Sequence, residues 1–318
     1  MIDSLGRNIE YLRLSLTDTC NLRCSYCRDA SASPSNFELS PAQIERVVNC
    51  MARLGINKVR LTGGEPLMRR DLEDIVRAVG AHNSIRDICM TTNAHGLAAR
   101  AAALKKAGLM RVNISLDSLD KDRFKAITNG GDLSQALEGI DAALDAGLFP
   151  VKLNCVVIKG RNDDEIDGFI ALAREKPLHV RFIELMPMGG AKNDGLRLGN
   201  EEILKRCPGL VPAIAHNAGQ PAVEYTAGDF RGTVGFISPI TRPFCNTCNR
   251  VRITHDGKLR PCLGDNAEID LLPALSGTQD GGDGALLEKI ERTIFNKPKG
   301  HRFNDGFVSQ RRMNRIGG

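Results

Sequence analysis

The chain has 318 residues, a net charge of +5 and 42% hydrophobic residues, which predicts one large globular domain with a smaller module attached. No apolar run approaches the roughly 20 residues needed to cross a bilayer, and no basic-then-apolar leader opens the chain, so we expect a cytoplasmic protein without a membrane partner. Aromatic residues make up only 4%, and this scarcity argues against a stacking surface for nucleic acid.

Strand and helix patterns alternate from residue 11 to about residue 187. One predicted helix begins at Pro41 with Ser40 as its N-cap, and another covers Leu97–Ala107 and ends at Gly108. Six such repeats predict a parallel sheet with right-handed crossovers, either doubly wound or a partial barrel. The predicted strands are Tyr11–Thr17, Lys58–Thr62, Asp87–Thr92, Arg111–Leu116, Val151–Ile158 and His179–Leu185.

Polar residues mark the point where each predicted strand ends. A cysteine loop follows the first strand, and Gly63-Gly64-Glu65-Pro66 follows the second. The carboxyl ends of parallel strands gather at one edge, where active sites form. We therefore expect one shared active site, which also includes Thr91, Thr92, Asn93, Ser115, Asp117, Lys152, Asn154, Glu184 and Met186.

The cysteine loop contains Cys20, Cys24 and Cys27, and no fourth cysteine lies nearby. Three thiolates can hold three irons of a [4Fe-4S] cluster and leave the fourth iron open to a ligand. Structural zinc sites usually take four ligands, and dense disulfides belong mostly to small secreted domains. The triplet therefore favours a cluster that binds a ligand.

A second metal signature follows the repeats, in a module that we place at residues 223–318, after a first module at 1–222. Cys245, Cys248 and Cys262 are spaced Cys-x2-Cys-x13-Cys. This spacing alone allows a zinc site with His255 or Cys207 as the fourth ligand, or a second cluster with an open iron. Arginines surround the group and favour an anionic ligand such as a phosphate ester; they are Arg242, Arg250, Arg252 and Arg260.

Two motifs resemble the radical S-adenosylmethionine (SAM) superfamily. Residues 20–27 read Cys-Asn-Leu-Arg-Cys-Ser-Tyr-Cys, which resembles its cluster loop, and Gly63-Gly64-Glu65-Pro66 resembles its GGEP element. The resemblance implies a partial (βα)6 barrel of the TIM type. It also implies a [4Fe-4S] cluster on Cys20, Cys24 and Cys27, with SAM on the open iron.

Residues 244–263 resemble the C-terminal cluster loop of the GTP 3′,8-cyclase family, the radical SAM enzymes that open molybdenum cofactor biosynthesis. The likeness runs over nearly the whole chain and includes the terminal Gly317-Gly318. It implies a second [4Fe-4S] cluster on Cys245, Cys248 and Cys262. It further implies conversion of GTP to (8S)-3′,8-cyclo-7,8-dihydroguanosine 5′-triphosphate, in which a 5′-deoxyadenosyl radical takes the ribose C3′ hydrogen.

The same resemblance assigns residue roles and partners. It implies an electron donor of the flavodoxin or ferredoxin type and a downstream cyclic pyranopterin monophosphate synthase, and it is compatible with a homodimer. The implied SAM contacts are Tyr26, Gly64, Ser115 and Met186. The implied GTP contacts are Arg13, Arg60, Thr91, Lys152, Arg250, Val251 and Arg252. The implied catalytic residues are Arg250, Arg252, Gly317 and Gly318.

Two other interpretations remain at this point. A radical SAM enzyme that modifies a peptide would share the first half of the chain, although such enzymes usually carry more cysteines in the second half. An iron–sulfur electron carrier with a zinc-stabilised tail would leave the GGEP turn unexplained. One departure from the family pattern is Arg28-Asp29, where Met-Pro is usual, and we expect altered loop packing there.

Overall fold

The computed structural model describes residues 1–27, 35, 37–188, 195–213, 219–276 and 283–317. Its strands are β1 (Tyr11–Ser15), β2 (Lys58–Thr62), β3 (Asp87–Thr92), β4 (Arg111–Ser115), β5 (Val151–Val157), β6 (Leu178–Glu184), β7 (Val211–Pro212), β8 (Ala222–Thr226), β9 (Thr233–Ile237), β10 (Arg250–Ile253), β11 (Lys258–Arg260) and β12 (Ile269–Asp270). Its helices are α1 (Pro41–Arg53), α2 (Leu72–Gly80), α3 (Leu97–Ala107), α4 (Lys121–Thr128), α5 (Leu133–Asp145), α6 (Ile166–Glu175), α7 (Asn200–Lys205), α8 (Leu272–Ser276), α9 (Gly284–Phe295) and α10 (Met313–Ile316).

The twelve strands form one sheet in the order β12-β11-β10-β1-β2-β3-β4-β5-β6-β9-β8-β7. Strands β1 to β6 lie side by side in chain order, and each pairs parallel with the next. Right-handed crossovers without a reversal of strand order place every helix on the same face, so the sheet coils into an open barrel. A doubly wound sheet needs a reversal. The predicted partial (βα)6 barrel is confirmed.

The C-terminal strands extend both edges of this barrel. Strand β10 pairs parallel with β1, and β9 pairs parallel with β6. The Cys245–Thr247 turn directly precedes β10, so the second cysteine group lies beside the strand that leads into the first. The division into modules at residue 222 stays a prediction, since the sheet runs through both parts.

Local signals explain where helices begin and end. Ser40 caps α1 in a capping box with Gln43, and Pro41 takes the first helical position. Gly108 ends α3 at φ 114°, a left-handed conformation that suits glycine. The sequence did not indicate α4, which has eight residues and only three buried side chains.

Strand alternation separates the core from the barrel interior. On β5, Val151, Leu153, Cys155 and Val157 are buried in alternation with partly exposed residues. Successive side chains of a strand point to opposite faces, so one set packs under the helices while the other faces the interior. Apolar residues thus fill the layer between sheet and helices, and polar residues line the inside.

Some predictions fall outside the described residues. These are the Arg28-Asp29 departure and the terminal Gly318. Among the helices that the structure does describe, none has the length and apolar character needed to cross a membrane.

Candidate active site

The barrel encloses a cavity of about 750 Å³ that both cysteine groups line. We call Cys20, Cys24 and Cys27 the first triad, and Cys245, Cys248 and Cys262 the second triad. All six side chains reach the cavity wall. The polar residues at the strand ends were expected to share one site, and the structure brings them together. The nine residues that line the same cavity are Thr91, Thr92, Asn93, Ser115, Asp117, Lys152, Asn154, Glu184 and Met186.

Main-chain hydrogen bonds hold the first-triad loop against its neighbours. The amides of Arg23 and Ser25 donate to the carbonyls of Thr128 and Ile127 at 3.0 Å each, so the end of α4 supports the loop. Burial, Asp117 and the neighbouring Cys27 and Cys20 raise the pKa of Cys24 well above its usual value. The three thiols therefore lie within electrostatic reach of one another.

The Gly63-Gly64 turn packs directly on the chain just before Cys20. The amide of Gly64 donates to the Thr17 carbonyl at 2.6 Å, and a Cβ built on Gly64 would lie 2.2 Å from the Thr19 carbonyl oxygen. Only glycine allows this approach. The glycines thus fix the first-triad loop to the end of β2, in addition to the ligand-facing role expected for them.

Tyr26 and Asp117 form a buried pair beside the first triad. The Tyr26 hydroxyl donates to Asp117 Oδ2 at 2.5 Å, and the Val156 amide donates to Asp117 Oδ1 at 2.9 Å. Burial raises the pKa of Asp117 to about 6, although these two hydrogen bonds lower it. The predicted SAM contact Tyr26 therefore has its ring on the cavity wall and its hydroxyl on a buried carboxylate.

Three arginines form what we call the cationic belt. Strand register places Arg252 beside Arg13, and Arg13 beside Arg60. All three line the cavity. Burial together with Arg13 and Arg250 lowers the pKa of Arg252 well below its usual value, and burial is also the main cause that lowers the pKa of Arg13 to about 10. Buried like charges at one register favour an anion in the space that they face.

Farther along the interior, Lys152 continues the positive surface. Burial, together with Arg181 and Arg111, lowers its pKa to about 7 against a smaller opposing effect of Glu224. Glu224 accepts a hydrogen bond from Arg181 Nη2 at 2.6 Å. The interior therefore holds more cations than carboxylates at this level.

The second triad is surrounded by cations that belong to the protein. Burial raises the pKa of Cys248, but Arg250 and Lys297 outweigh burial and bring it down to about 7. Lys297 is 3% exposed, and its Nζ donates to the carbonyl of Pro261, the residue before Cys262. The thiolate is the form that binds metal, so this environment prepares Cys248 to act as a ligand.

The comparisons with known proteins agree over the full length of the chain. Residues 14–173 match the radical SAM superfamily, and residues 178–303 match the family described as Molybdenum Cofactor Synthesis C. The chain is 46% identical over 327 aligned residues to the GTP 3′,8-cyclase of Pelotomaculum thermopropionicum, and 44% identical over 326 to that of Clostridium botulinum strain Langeland; both alignments cover 100% of each chain. The chain belongs to the GTP 3′,8-cyclase family. Membership of the radical SAM superfamily brings a [4Fe-4S] cluster and SAM as cofactors.

Solved structures of Streptococcus suis SuiB share the fold. The form bound to S-adenosylmethionine matches with a TM-score of 0.60 at 15% identity, over 88% of this chain and 68% of that chain. The form bound to the precursor peptide SuiA matches with a TM-score of 0.61 at 16% identity, over 92% and 66%. At this level of identity the likeness concerns the fold alone.

The residues present fit the cofactors of the family. Asn113 Oδ1 and Asn154 Oδ1 are buried on the cavity wall and accept no hydrogen bond from the described residues, so both are available to donors of a bound ligand. Within the described ranges, no three histidine, cysteine or carboxylate side chains converge to hold a single ion. A [4Fe-4S] cluster does not need such convergence, since each cysteine binds a different iron.

The structure places the residues expected of the family as follows. Val251 lies in the hydrophobic core with 0% exposure and does not line the cavity, unlike its neighbours Arg250 and Arg252, so a GTP contact at Val251 stays a prediction. Gly317 lies against Ser15 and Thr62. The expected positions that do line the cavity are Arg13, Tyr26, Arg60, Gly64, Thr91, Ser115, Lys152, Met186, Arg250 and Arg252.

The two residues considered as a fourth zinc ligand lie elsewhere. His255 Nε2 lies 3.7 Å from Asp18 Oδ2, and the Cys207 thiol donates to the Ile203 carbonyl at 3.3 Å in the α7 region. Neither side chain lines the cavity that the second triad faces.

Sequence reasoning missed several cavity residues. Lys58, Arg111 and Arg181 lie at alternate positions on strands that were correctly predicted, so the alternation was a usable signal for them. Lys297 carried no such signal, because it follows a helix that is remote in sequence from both triads.

Proposed function

We propose that this chain is a GTP 3′,8-cyclase that binds SAM at the first triad and GTP between the cationic belt and the second triad. It converts GTP to (8S)-3′,8-cyclo-7,8-dihydroguanosine 5′-triphosphate, the first step of molybdenum cofactor biosynthesis. The observation that carries the proposal is the shared cavity: two cysteine triads line it, with buried arginines at one register between them.

In this proposal the first triad would hold the [4Fe-4S] cluster. When bound there, the cluster and SAM supply the 5′-deoxyadenosyl radical that takes hydrogen from ribose C3′ before C3′ joins guanine C8. The protein around it positions SAM through Gly64, Ser115 and Met186, all on the cavity wall. The Tyr26–Asp117 pair fixes the wall next to Cys27. Enclosure by the barrel excludes water from the reacting carbon.

The cationic belt and Lys152 bind the triphosphate in this proposal. Guanidinium groups match phosphate oxygens in pairs, and burial strengthens each contact. Strand geometry holds Arg13, Arg60 and Arg252 in fixed relation, which limits the motion of the bound nucleotide. Such restraint is needed because reacting atoms must approach to about 3–3.5 Å.

The second triad holds a second [4Fe-4S] cluster in this proposal, with an open iron for a donor atom of guanine. Support comes from the lowered pKa of Cys248 and from the position of Arg250 and Arg252 on β10, shortly after Cys248. Arg250 lies over the Phe244 ring with 4.8 Å between the guanidinium carbon and the ring centroid, and this same guanidinium lowers the pKa of Cys248.

The proposal includes partners and location. An electron donor of the flavodoxin or ferredoxin type supplies two electrons per turnover, one that cleaves SAM and one that, with a proton, reduces the nucleotide radical left after C3′ joins C8. A cyclic pyranopterin monophosphate synthase takes the product. The enzyme works in the cytoplasm, and the two modules divide near residue 222. A homodimer is compatible with this scheme.

The test uses anaerobically reconstituted protein with dithionite and SAM, with and without GTP. We expect GTP to increase the formation of 5′-deoxyadenosine, and the increase to equal the GTP consumed. Equal, slow formation without GTP would retain radical SAM chemistry but contradict the substrate. No SAM cleavage by protein with both clusters intact would contradict the enzymatic function.

A further inference from the structure

The described end of the chain is buried beside the cavity. Helix α10 ends in Ile316, which is 1% exposed and packs in an apolar cluster with Met188, Ile240 and Phe303. The Gly317 carbonyl accepts a hydrogen bond from Arg252 of the cationic belt. We call residues 313–317 the tail. It is seated on the protein by contacts along its whole length.

Asp18 faces this tail from the loop that carries the first triad. Its carboxylate is 1% exposed and accepts from the Ser35 amide at 2.9 Å, and Arg315 Nε of the tail lies 3.4 Å from Oδ2. Its carbonyl accepts from Asn314 Nδ2 at 3.0 Å. Both the side chain and the main chain of Asp18 therefore contact the tail, two residues before Cys20.

The contacts between Asp18 and the tail also compensate the negative charge of the Asp18 carboxylate. A buried carboxylate needs a cation or several hydrogen bonds, and Arg315 brings a cation from the tail. His255 lies 3.7 Å away on the other side, but burial lowers the pKa of His255 below its usual value, which favours the neutral ring. Undocking of the tail would thus leave the Asp18 charge buried without its arginine.

Asp18 also touches the turn expected to hold SAM. A Cβ on Gly64 would lie 2.8 Å from the Asp18 carbonyl oxygen. The same residue is therefore packed between the Gly64 turn, the first-triad loop and the tail. A displacement of the tail at this point is transmitted to two elements that shape the SAM site.

We propose that Asp18 is a positioning residue that docks the C-terminal tail onto the first-triad loop through Arg315 and Asn314. Docking places Gly317 against Ser15 and Thr62 at the ends of β1 and β2, where Arg252 donates to its carbonyl. The consequence for cyclisation rests on the proposed function, whereas the docking itself does not. His255 lies against Asp18 and does not line the cavity that the second triad faces.

The experiment measures hydrogen–deuterium exchange of the C-terminal peptide in anaerobically reconstituted protein. We compare wild type with Asp18→Asn, Arg315→Gln and the double variant. Each single change is expected to speed exchange of the peptide about tenfold, as for the loss of one ion pair whose carboxylate is buried. The double variant should be no faster than either single one, because both changes remove the same interaction. Arg302→Gln is the matched control, an exposed arginine of the same C-terminal segment.

Two results would overturn the proposal. One is exchange in Asp18→Asn within about twofold of wild type, and the other is an additive, roughly hundredfold effect in the double variant. Should Asp18→Asn lose the first cluster, as iron content will reveal, Arg315→Gln still tests the docking, since Arg315 is 39% exposed and lies outside the cluster loop. If wild type fails to cyclise GTP, the exchange result still stands, so failure of the function and failure of the docking are distinguishable.

Discussion

The two cysteine triads face the same cavity from opposite electrostatic surroundings. Burial acts to raise the pKa of both Cys24 and Cys248, but Asp117 raises the pKa of Cys24 further, whereas Arg250 and Lys297 bring the pKa of Cys248 down to about 7. The first therefore has a wall suited to a cationic ligand, and the second a wall suited to an anion. SAM carries a positive sulfonium and GTP a negative triphosphate, so each surrounding complements the ligand proposed for it.

The triads also differ in how the protein holds them. The first loop is fixed by main-chain bonds to α4 and to the Gly63-Gly64 turn. The second depends on one buried guanidinium: Arg7 donates to the carbonyls of Cys245, Lys299, Lys297 and Pro298, at distances from 2.9 to 3.1 Å. Asp3 balances this charge at 2.7 Å. A sequence-remote turn at the chain start thus sets the geometry of the second triad.

The largest expected effect is the difference in 5′-deoxyadenosine formation between Cys24→Ala and Cys248→Ala. Each variant should lose about half of the bound iron, because each removes one cluster. Cys24→Ala should form at least about a thousandfold less 5′-deoxyadenosine, whereas Cys248→Ala should keep the slow GTP-independent cleavage and lose the GTP-dependent part. Cys207→Ala, a buried thiol outside the cavity, is the control. Cyclisation of GTP by Cys248→Ala would show that the triads do not divide the ligands.

The next effect concerns Gly317, the last described residue of the tail. Gly317 has φ 72°, and a Cβ there would lie 2.9 Å from Thr62 Cγ2 and 3.3 Å from Ser15 Cβ. We expect Gly317→Ala to reduce GTP cyclisation about a hundredfold, since displaced reacting groups cost this order of rate, while iron content stays unchanged. The assay is product formation by chromatography. Gly306→Ala is the matched control, because Gly306 has φ 71° but nothing within 4 Å of its Cβ position; equal losses would mean that backbone strain alone explains the effect.

These two contrasts also mark what the sequence could and could not predict. Spacing of the cysteines and strand alternation predicted both triads and the strand positions of Arg13 and Lys152, because those signals are local. The electrostatic difference between the triads depends on Lys297 and Asp117. The position of the second triad depends on the hydrogen bonds that Arg7 donates. Contacts between residues 7, 245 and 297 arise only from strand order, since β10 returns to pair with β1, and no local pattern indicates that return.

Removal of the Arg7 charge tests how the second triad is held. Arg7→Gln leaves Asp3 buried without its partner, so we expect the free energy of unfolding to fall by about 3 kcal/mol. Iron loss should come from the second triad, while SAM cleavage without GTP persists. Urea unfolding and iron analysis measure both effects. Arg77→Gln breaks the exposed pair with Asp74 and should change the unfolding free energy by no more than about 0.5 kcal/mol; a similar loss in both variants would contradict the role of Arg7.

The smallest effect is a pH dependence at the cationic end of the cavity. Burial and the nearby Arg181 and Arg111 lower the pKa of Lys152 to about 7 from an ordinary value of 10.5. In the free protein the ammonium therefore loses its proton above pH 7, whereas a bound triphosphate favours the charged form and raises that pKa. The Kd for GTP should then increase above pH 7, by up to about tenfold per pH unit, and Lys152→Met should bind more weakly at pH 7 but show a flatter profile. The folded chain binds fewer protons than the unfolded chain between pH 7 and 10.5, so the same lysine makes the unfolding free energy of ligand-free protein rise with pH across that window. Equilibrium dialysis between pH 7 and 9 measures the Kd of both proteins. If the Kd of Lys152→Met rises with pH as steeply as that of wild type, the pH-sensitive cation is another residue of the cavity, and Lys152 does not provide its anion-binding end.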